Sequence, residues 1–113
     1  VQVERVKQHP LRAPLLILAI THIQDHAKVP EFEQILSTGA AVQNLLLSLQ
    51  AQGFSSIWRT GAVVESVLLK QALGIKENDL ISGIIYLGTA AKPIPARSLP
   101  ELDSYVSEWI GPK

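Results

Sequence analysis

The chain contains no cysteine. Disulfides, thiolate nucleophiles and cysteine-ligated zinc are thereby excluded, which fits a reducing compartment. Excess charge of either sign is also missing, because ten basic side chains balance ten acidic ones. With no basic footprint for polyphosphate or anionic lipid, neither nucleic acid nor a membrane is an expected partner. The longest apolar runs, Pro14–Ile20 and Leu45–Leu49, are far too short to span a bilayer. Val1–Lys7 alternates charge and hydrophobe, so no signal peptide is visible. The common catalytic devices are absent too. Glycines 39, 53, 61, 74, 83 and 88 stand singly, which leaves no phosphate-cradling loop and no nucleophile elbow. No pair of carboxylates sits in an apolar setting. An enzyme so poor in reactive side chains borrows its chemistry from an organic cofactor.

What is present is a globular composition, 47% apolar and 18% charged. Its 113 residues suffice for one domain that buries roughly two-thirds of its unfolded surface. The chain begins without methionine, and a fragment of a longer protein is the expectation.

Hydrophobic patterning orders the chain. Val1–Lys7 reads as the end of a helix, stopped by Pro10. Pro14–Thr21 is a continuous apolar run with the pattern of a strand covered on both faces. His22–Ala27 is a polar loop. Pro30 suits a first helical position, with Glu31 and Glu33 near the positive helix end. Phe32, Ile35 and Leu36 form the buried side of these first turns. From Ser37 the pattern becomes apolar around much of the circumference, so the long helix Thr38–Gln52 is expected inside a core or a subunit interface. Gly53 supplies its left-handed stop. Phe54–Trp58 is a short strand that exits through Arg59, Thr60 and Gly61. Val63–Leu73 carries a helical stripe closed by Gly74, and Leu80–Leu87 is another strand ended by Gly88. Lys92–Pro100 is a proline-rich extended arm. Pro100–Trp109 shows a short amphipathic helical pattern. The alternation of strands and helices gives a layered α/β or α+β domain.

Two groups of residues invite a functional reading. His22, Asp25 and His26 place two imidazoles four residues apart, as in helical zinc sites, but the segment follows a strand and lacks the usual glutamate. A solvated loop is the expected reading. The second group is Trp58-Arg59-Thr60-Gly61. At the end of a buried strand, backbone N–H groups and a cation become available to an electron-rich ligand such as a ring carbonyl or a phosphate. The plain alternative is a core tryptophan, a solvent-facing arginine and a turn glycine. Lys92 and Arg97 on the arm have the chemistry to clamp a phosphate; on residue types alone, solvated charges are the expected reading.

Gly39-Ala40-Ala41-Val42-Gln43-Asn44-Leu45-Leu46-Leu47, then Gln52-Gly53-Phe54 and Ile57-Trp58-Arg59-Thr60-Gly61, together resemble the C-terminal half of the FMN-dependent nitroreductase family. Lys28-Val29-Pro30 and Tyr86-Leu87-Gly88-Thr89 are similar to the small bacterial NAD(P)H nitroreductases within it. The resemblance runs from about Ala13 to Thr89. It implies an α+β fold with a central, mostly antiparallel sheet flanked by helices, in a cytoplasmic homodimer that holds FMN at the subunit interface. NAD(P)H reduces the flavin, and a nitroaromatic, a quinone or another small acceptor reoxidises it. By the same resemblance Trp58 and Arg59 shape the ring pocket, Thr60 and Gly61 offer hydrogen bonds to the flavin edge, and Arg97, with Lys92 behind it, reaches the phosphate. The helix Thr38–Gln52 becomes the dimer interface.

One departure is large. The family's N-terminal Arg-x-Ser type segment, which binds the FMN phosphate and ribityl chain, is not among these 113 residues. The expectation is a single domain that forms the C-terminal part of a nitroreductase-like unit. The rival is a non-enzymatic oligomerising module that kept the fold and lost the cofactor.

Overall fold

The computed structural model describes residues 7–112. The helical end expected at Val1–Lys7 therefore lies outside the described residues, except for Lys7 itself. A 3-10 turn at His9–Arg12 follows, and Pro10 stands in its first turn rather than ending it. Proline tolerates that position because the N–H it lacks would be unpaired there in any case.

Three strands form one antiparallel sheet. They are β1 (Leu15–Thr21), β2 (Ser55–Arg59) and β3 (Leu80–Gly88), in the spatial order β1-β3-β2. The most buried strand, β3, takes the centre, where both its edges are paired. Ile81, Ile84 and Ile85 on it are buried, and Ile85 is fully enclosed. Opposite residues of an antiparallel pair share a face. Ile17, Ile85 and Trp58 thus lie on one face, and Leu18, Ile84 and Arg59 on the other. An irregularity between Ala19 and Ile20 shifts the β1–β3 register by one residue at Ser82.

One helix, α1 (Glu31–Ala51), packs on the Trp58 face. It runs unbroken through Ser37, where the apolar pattern changes. Pro30 precedes it with extended backbone, and Glu31 and Glu33 sit in its first turn. Gly53 at φ 84° turns the chain out of it, and the Phe54 N–H returns to the Leu49 carbonyl at 3.0 Å. Thr38, Val42, Leu45 and Leu49 recur at the three- and four-residue spacing of a single helical face, and each is buried or half-buried. Phe32, Leu36 and Leu47, off that face, are exposed. Within one chain, then, only Val42 and Leu49 on this helix are buried. The all-round apolar character is not explained by the core of this chain.

Part-buried hydroxyls tie the layers together. Ser82 Oγ and Thr21 Oγ1 are hydrogen-bonded, Thr21 Oγ1 donates to Thr38 Oγ1 at 2.8 Å, and Thr38 Oγ1 donates to the Gln34 carbonyl at 3.2 Å. This relay joins β3, β1 and α1 and leaves no hydroxyl of the three without a partner.

Two expected helices come out differently. The stripe over Val63–Leu73 is divided into a 3-10 turn (Ala62–Glu65) and a short helix, α2 (Val67–Ala72). Ser66 causes the division. Its backbone is extended and its Oγ accepts from the Leu69 N–H at 3.3 Å, so it starts a new helix instead of continuing the old one. Pro100–Trp109 is not an amphipathic helix; only Leu102–Ser104 makes a 3-10 turn. A segment this short is not helical without a surface to pack on, and Leu102, Tyr105, Val106, Trp109 and Ile110 are all exposed.

Residues 89–112 form an extended arm outside the sheet and helices, apart from that turn. The radius of gyration is 18.2 Å, against about 13 Å for a compact domain of this length. The chain exposes 9655 Å², where a compact monomer of its mass exposes about 6,100 Å². No helix among the described residues is long and apolar enough to cross a membrane.

Candidate functional site

The strand β2 delivers its last side chains to opposite faces. Trp58 turns toward α1, into an apolar groove of about 730 Å³ shared with Leu36, Gly39, Ala40 and Ile81. Its indole N–H donates to the Ser82 carbonyl at 3.1 Å. Arg59, Thr60 and Gly61 line a different cavity, about 340 Å³, with His9, Val63, Ile84 and Tyr86. The expected quartet is therefore divided by its own strand: three members share a cavity and the fourth backs it from behind.

The turn itself has a defined construction. The ladder ends at Arg59, opposite Ile84. Gly61 adopts φ 113° and ψ −175°, a backbone region essentially confined to glycine. Its carbonyl accepts from the Val64 N–H at 3.0 Å, which fixes the following 3-10 turn. Neither the ladder nor any turn bond uses the N–H of Thr60 or of Gly61. Two unused amides stand beside a guanidinium and the Tyr86 ring. That donor set fits the electron-rich edge of a flat heterocycle, and it fits no metal ion.

Arg97 is not brought to this cavity within one chain. It lies in extended backbone on the exposed arm, as does Lys92, and makes no hydrogen bond or ion pair among the described residues.

The loop after β1 carries a pairing that sequence reasoning missed. His22 Nδ1 lies 2.7 Å from Asp79 Oδ1, and the same oxygen accepts from the Ile23 N–H at 3.3 Å. Asp79, in the polar turn that leads into β3, is buried. His26 instead accepts from the Lys28 N–H at 3.2 Å within its own loop. Among the described residues no group of three or more acidic or imidazole side chains is placed to hold a metal ion.

Ile84 and Tyr86, which complete the cavity wall, were legible as members of one strand face by their alternation. That this face is the one meeting Arg59 follows from the register, which is a property of the pairing.

The sequence model of the Nitroreductase family matches residues 3–89. The Escherichia coli K12 protein named "Putative NAD(P)H nitroreductase YdjA" is 41% identical over 87 residues, covering 77% of this chain and 48% of that protein. A Haemophilus influenzae protein named "Putative NAD(P)H nitroreductase" is 40% identical over 79 residues, covering 69% of this chain and 43% of its own length. The chain thus spans about half the length of the curated relatives it matches. Among solved structures, a nitroreductase-like family protein from Bacillus cereus superposes with a TM-score of 0.79 over 98% of this chain and 62% of that one, at 19% identity. A nitroreductase family protein from Streptococcus pneumoniae TIGR4 superposes with a TM-score of 0.56 over 73% of this chain and 42% of that one, at 25% identity. With the family sequence pattern and the antiparallel α+β fold in agreement, the chain belongs to the Nitroreductase family.

Proposed function

We propose that this chain is the C-terminal part of a nitroreductase-like domain in an FMN-dependent oxidoreductase, which transfers electrons from NAD(P)H to nitroaromatics, quinones or similar small acceptors. The observation that carries this reading is the pair of unused amides at Thr60 and Gly61, set in a cavity beside Arg59 and Tyr86. FMN, when bound, supplies the redox chemistry that this side-chain inventory lacks. The chain's own residues do the rest. The Thr60 and Gly61 N–H groups offer hydrogen bonds to the ring edge, where negative charge collects on reduction. Arg59 adds a cation at that edge, and Trp58 backs the turn from the helix side. Arg97 supplies a phosphate contact.

The cavity described here is one wall of such a site. We assign the other wall to a second subunit and to family segments beyond these residues. The exposed stripe Phe32, Leu36 and Leu47 on α1 and the apolar arm supply the surface for a homodimer. The balanced charge, the lack of cysteine and the absence of a membrane-crossing helix among the described residues support a cytoplasmic location.

The test is direct. The purified protein is expected to be yellow, to contain FMN, and to oxidise NADH or NADPH when an acceptor is supplied. A colourless protein that takes up no added FMN would sink this reading and leave the oligomerising module in its place.

A further inference from the structure

The edge strand β2 stops at Arg59, although its partner β3 continues. The paired positions sum to a constant, with Trp58 opposite Ile85 and Arg59 opposite Ile84. Continued by two residues, the same register would place Gly61 opposite Ser82. The Ser82 carbonyl, however, already accepts from the indole N–H of Trp58 at 3.1 Å, which uses one of its two lone pairs. The side chain of the penultimate ladder residue thus competes for an acceptor that an extending strand would use.

The space for that indole is made by two glycines. A Cβ on Gly83 would collide with Nε1 and Cδ1 of Trp58, and would stand 3.1 Å from Cε2. Gly39 on α1 faces the far edge of the ring, where a Cβ would meet Cη2 at 3.7 Å. The ring therefore lies flat on the backbone of β3, with α1 above it. Only a residue without a side chain at position 83 permits this, so the indole's position is set by the sheet and not by solvent.

We propose that Trp58 is a positioning residue that ends the β2–β3 ladder. By holding the Ser82 carbonyl, it keeps the Gly61 N–H out of the sheet and free for a ligand. Trp58 acts on the site through this backbone and not by touching the ligand's ring. Gly83 is required for the same purpose, as the floor of the indole slot. The proposal rests on the flavin reading of the turn, but its central claim concerns the free Gly61 amide and is measurable without flavin.

The variant Trp58→Phe keeps an aromatic ring for the slot and removes the N–H. Amide hydrogen exchange at Gly61 is then read by NMR in the flavin-free protein. Release of the Ser82 carbonyl lets the ladder extend, so exchange at Gly61 is expected to slow by about tenfold. A merely structural role predicts the opposite sign, since a loosened edge strand exchanges faster. Unchanged or faster exchange at Gly61 in Trp58→Phe overturns the proposal. Gly83→Ala, which evicts the indole, is expected to slow Gly61 as well, and to add nothing when combined with Trp58→Phe; additive effects in the double variant also overturn it. FMN titration separates the two readings. Where the wild-type protein binds FMN, Trp58→Phe is expected to raise the Kd by about tenfold. Failure of the wild type to bind FMN removes the flavin reading and leaves the amide comparison to decide this one.

Discussion

His22 and Asp79 are 57 residues apart in sequence and joined by a 2.7 Å contact between Nδ1 and Oδ1. The carboxylate oxygen also accepts from the Ile23 N–H, so one buried side chain ties the loop after β1 to the start of β3. Asp79→Ala leaves both donors without an acceptor. It is expected to destabilise the fold by about 1–3 kcal/mol, read as a lower urea midpoint with an unchanged slope. Asp79→Asn keeps an oxygen for the Ile23 N–H and should lose less. Because His22 is half in solvent, His22→Ala should cost less than Asp79→Ala; the reverse order would assign the stabilisation to the imidazole.

Gly61 and Gly53 offer a controlled comparison. Both have positive φ, and a Cβ at either would meet nothing within 4 Å, so alanine at each tests backbone strain without a clash. Gly53→Ala strains a left-handed helix end and is expected to cost about 1–2 kcal/mol. Gly61→Ala strains the region reserved for glycine and is expected to cost about 1–3 kcal/mol. The two should resemble each other in a denaturation curve and differ in ligand binding. Gly61→Ala is expected to weaken FMN binding at least tenfold while Gly53→Ala leaves it unchanged. Equal FMN affinities would remove the turn from the site.

Much of the architecture was legible from pattern alone because it depends on local signals. The apolar runs at Leu15–Thr21 and Leu80–Gly88, the stop at Gly53 and the proline-rich arm each announce themselves within a few residues. The division of the second helix was missed because Ser66 sits in an otherwise helical stripe, and its role as a cap depends on an Oγ hydrogen bond. The helix expected over Pro100–Trp109 failed because periodicity marks a face without supplying the surface that the face must meet. For the candidate site, residue types alone single out the turn. Its division between two faces was not, since that follows from the pairing of Trp58 with Ile85 and Arg59 with Ile84. The His22–Asp79 contact depends on long-range packing in the same way.

The surface of α1 leads to a prediction about assembly. Leu36 is 65% exposed and Leu47 54% exposed on a helix that is apolar nearly all round. The chain's surface exceeds that of a compact monomer by about 3,500 Å², more than the roughly 1,000–2,500 Å² per partner of obligate interfaces. Sedimentation is expected to show a dimer. Leu36→Glu combined with Leu47→Glu should shift it to monomer, with FMN lost in parallel. A dimer that survives both charges would move the interface to the arm.

Arg59 and Arg97 test whether the turn and the arm serve one site. Arg59 lines the cavity with Thr60 and Gly61, whereas Arg97 stands on exposed, extended backbone away from it. A charge-assisted bond to a ring carbonyl or phosphate contributes about 1.5–3 kcal/mol, roughly ten- to a hundredfold in Kd. Each single alanine variant is expected to weaken FMN binding within that range with its circular dichroism unchanged, because neither side chain supports the fold. Their probes differ. Riboflavin, which has the ring and no phosphate, should respond to Arg59→Ala and ignore Arg97→Ala. If the arm reaches its partner's cavity, mixing Arg59→Ala chains with Arg97→Ala chains restores one complete site per mixed dimer, and part of the FMN binding returns. If both arginines act within one chain, mixing restores nothing. An Arg97→Ala variant that binds FMN as tightly as the wild type would leave Arg97 a solvated charge and the phosphate to other residues.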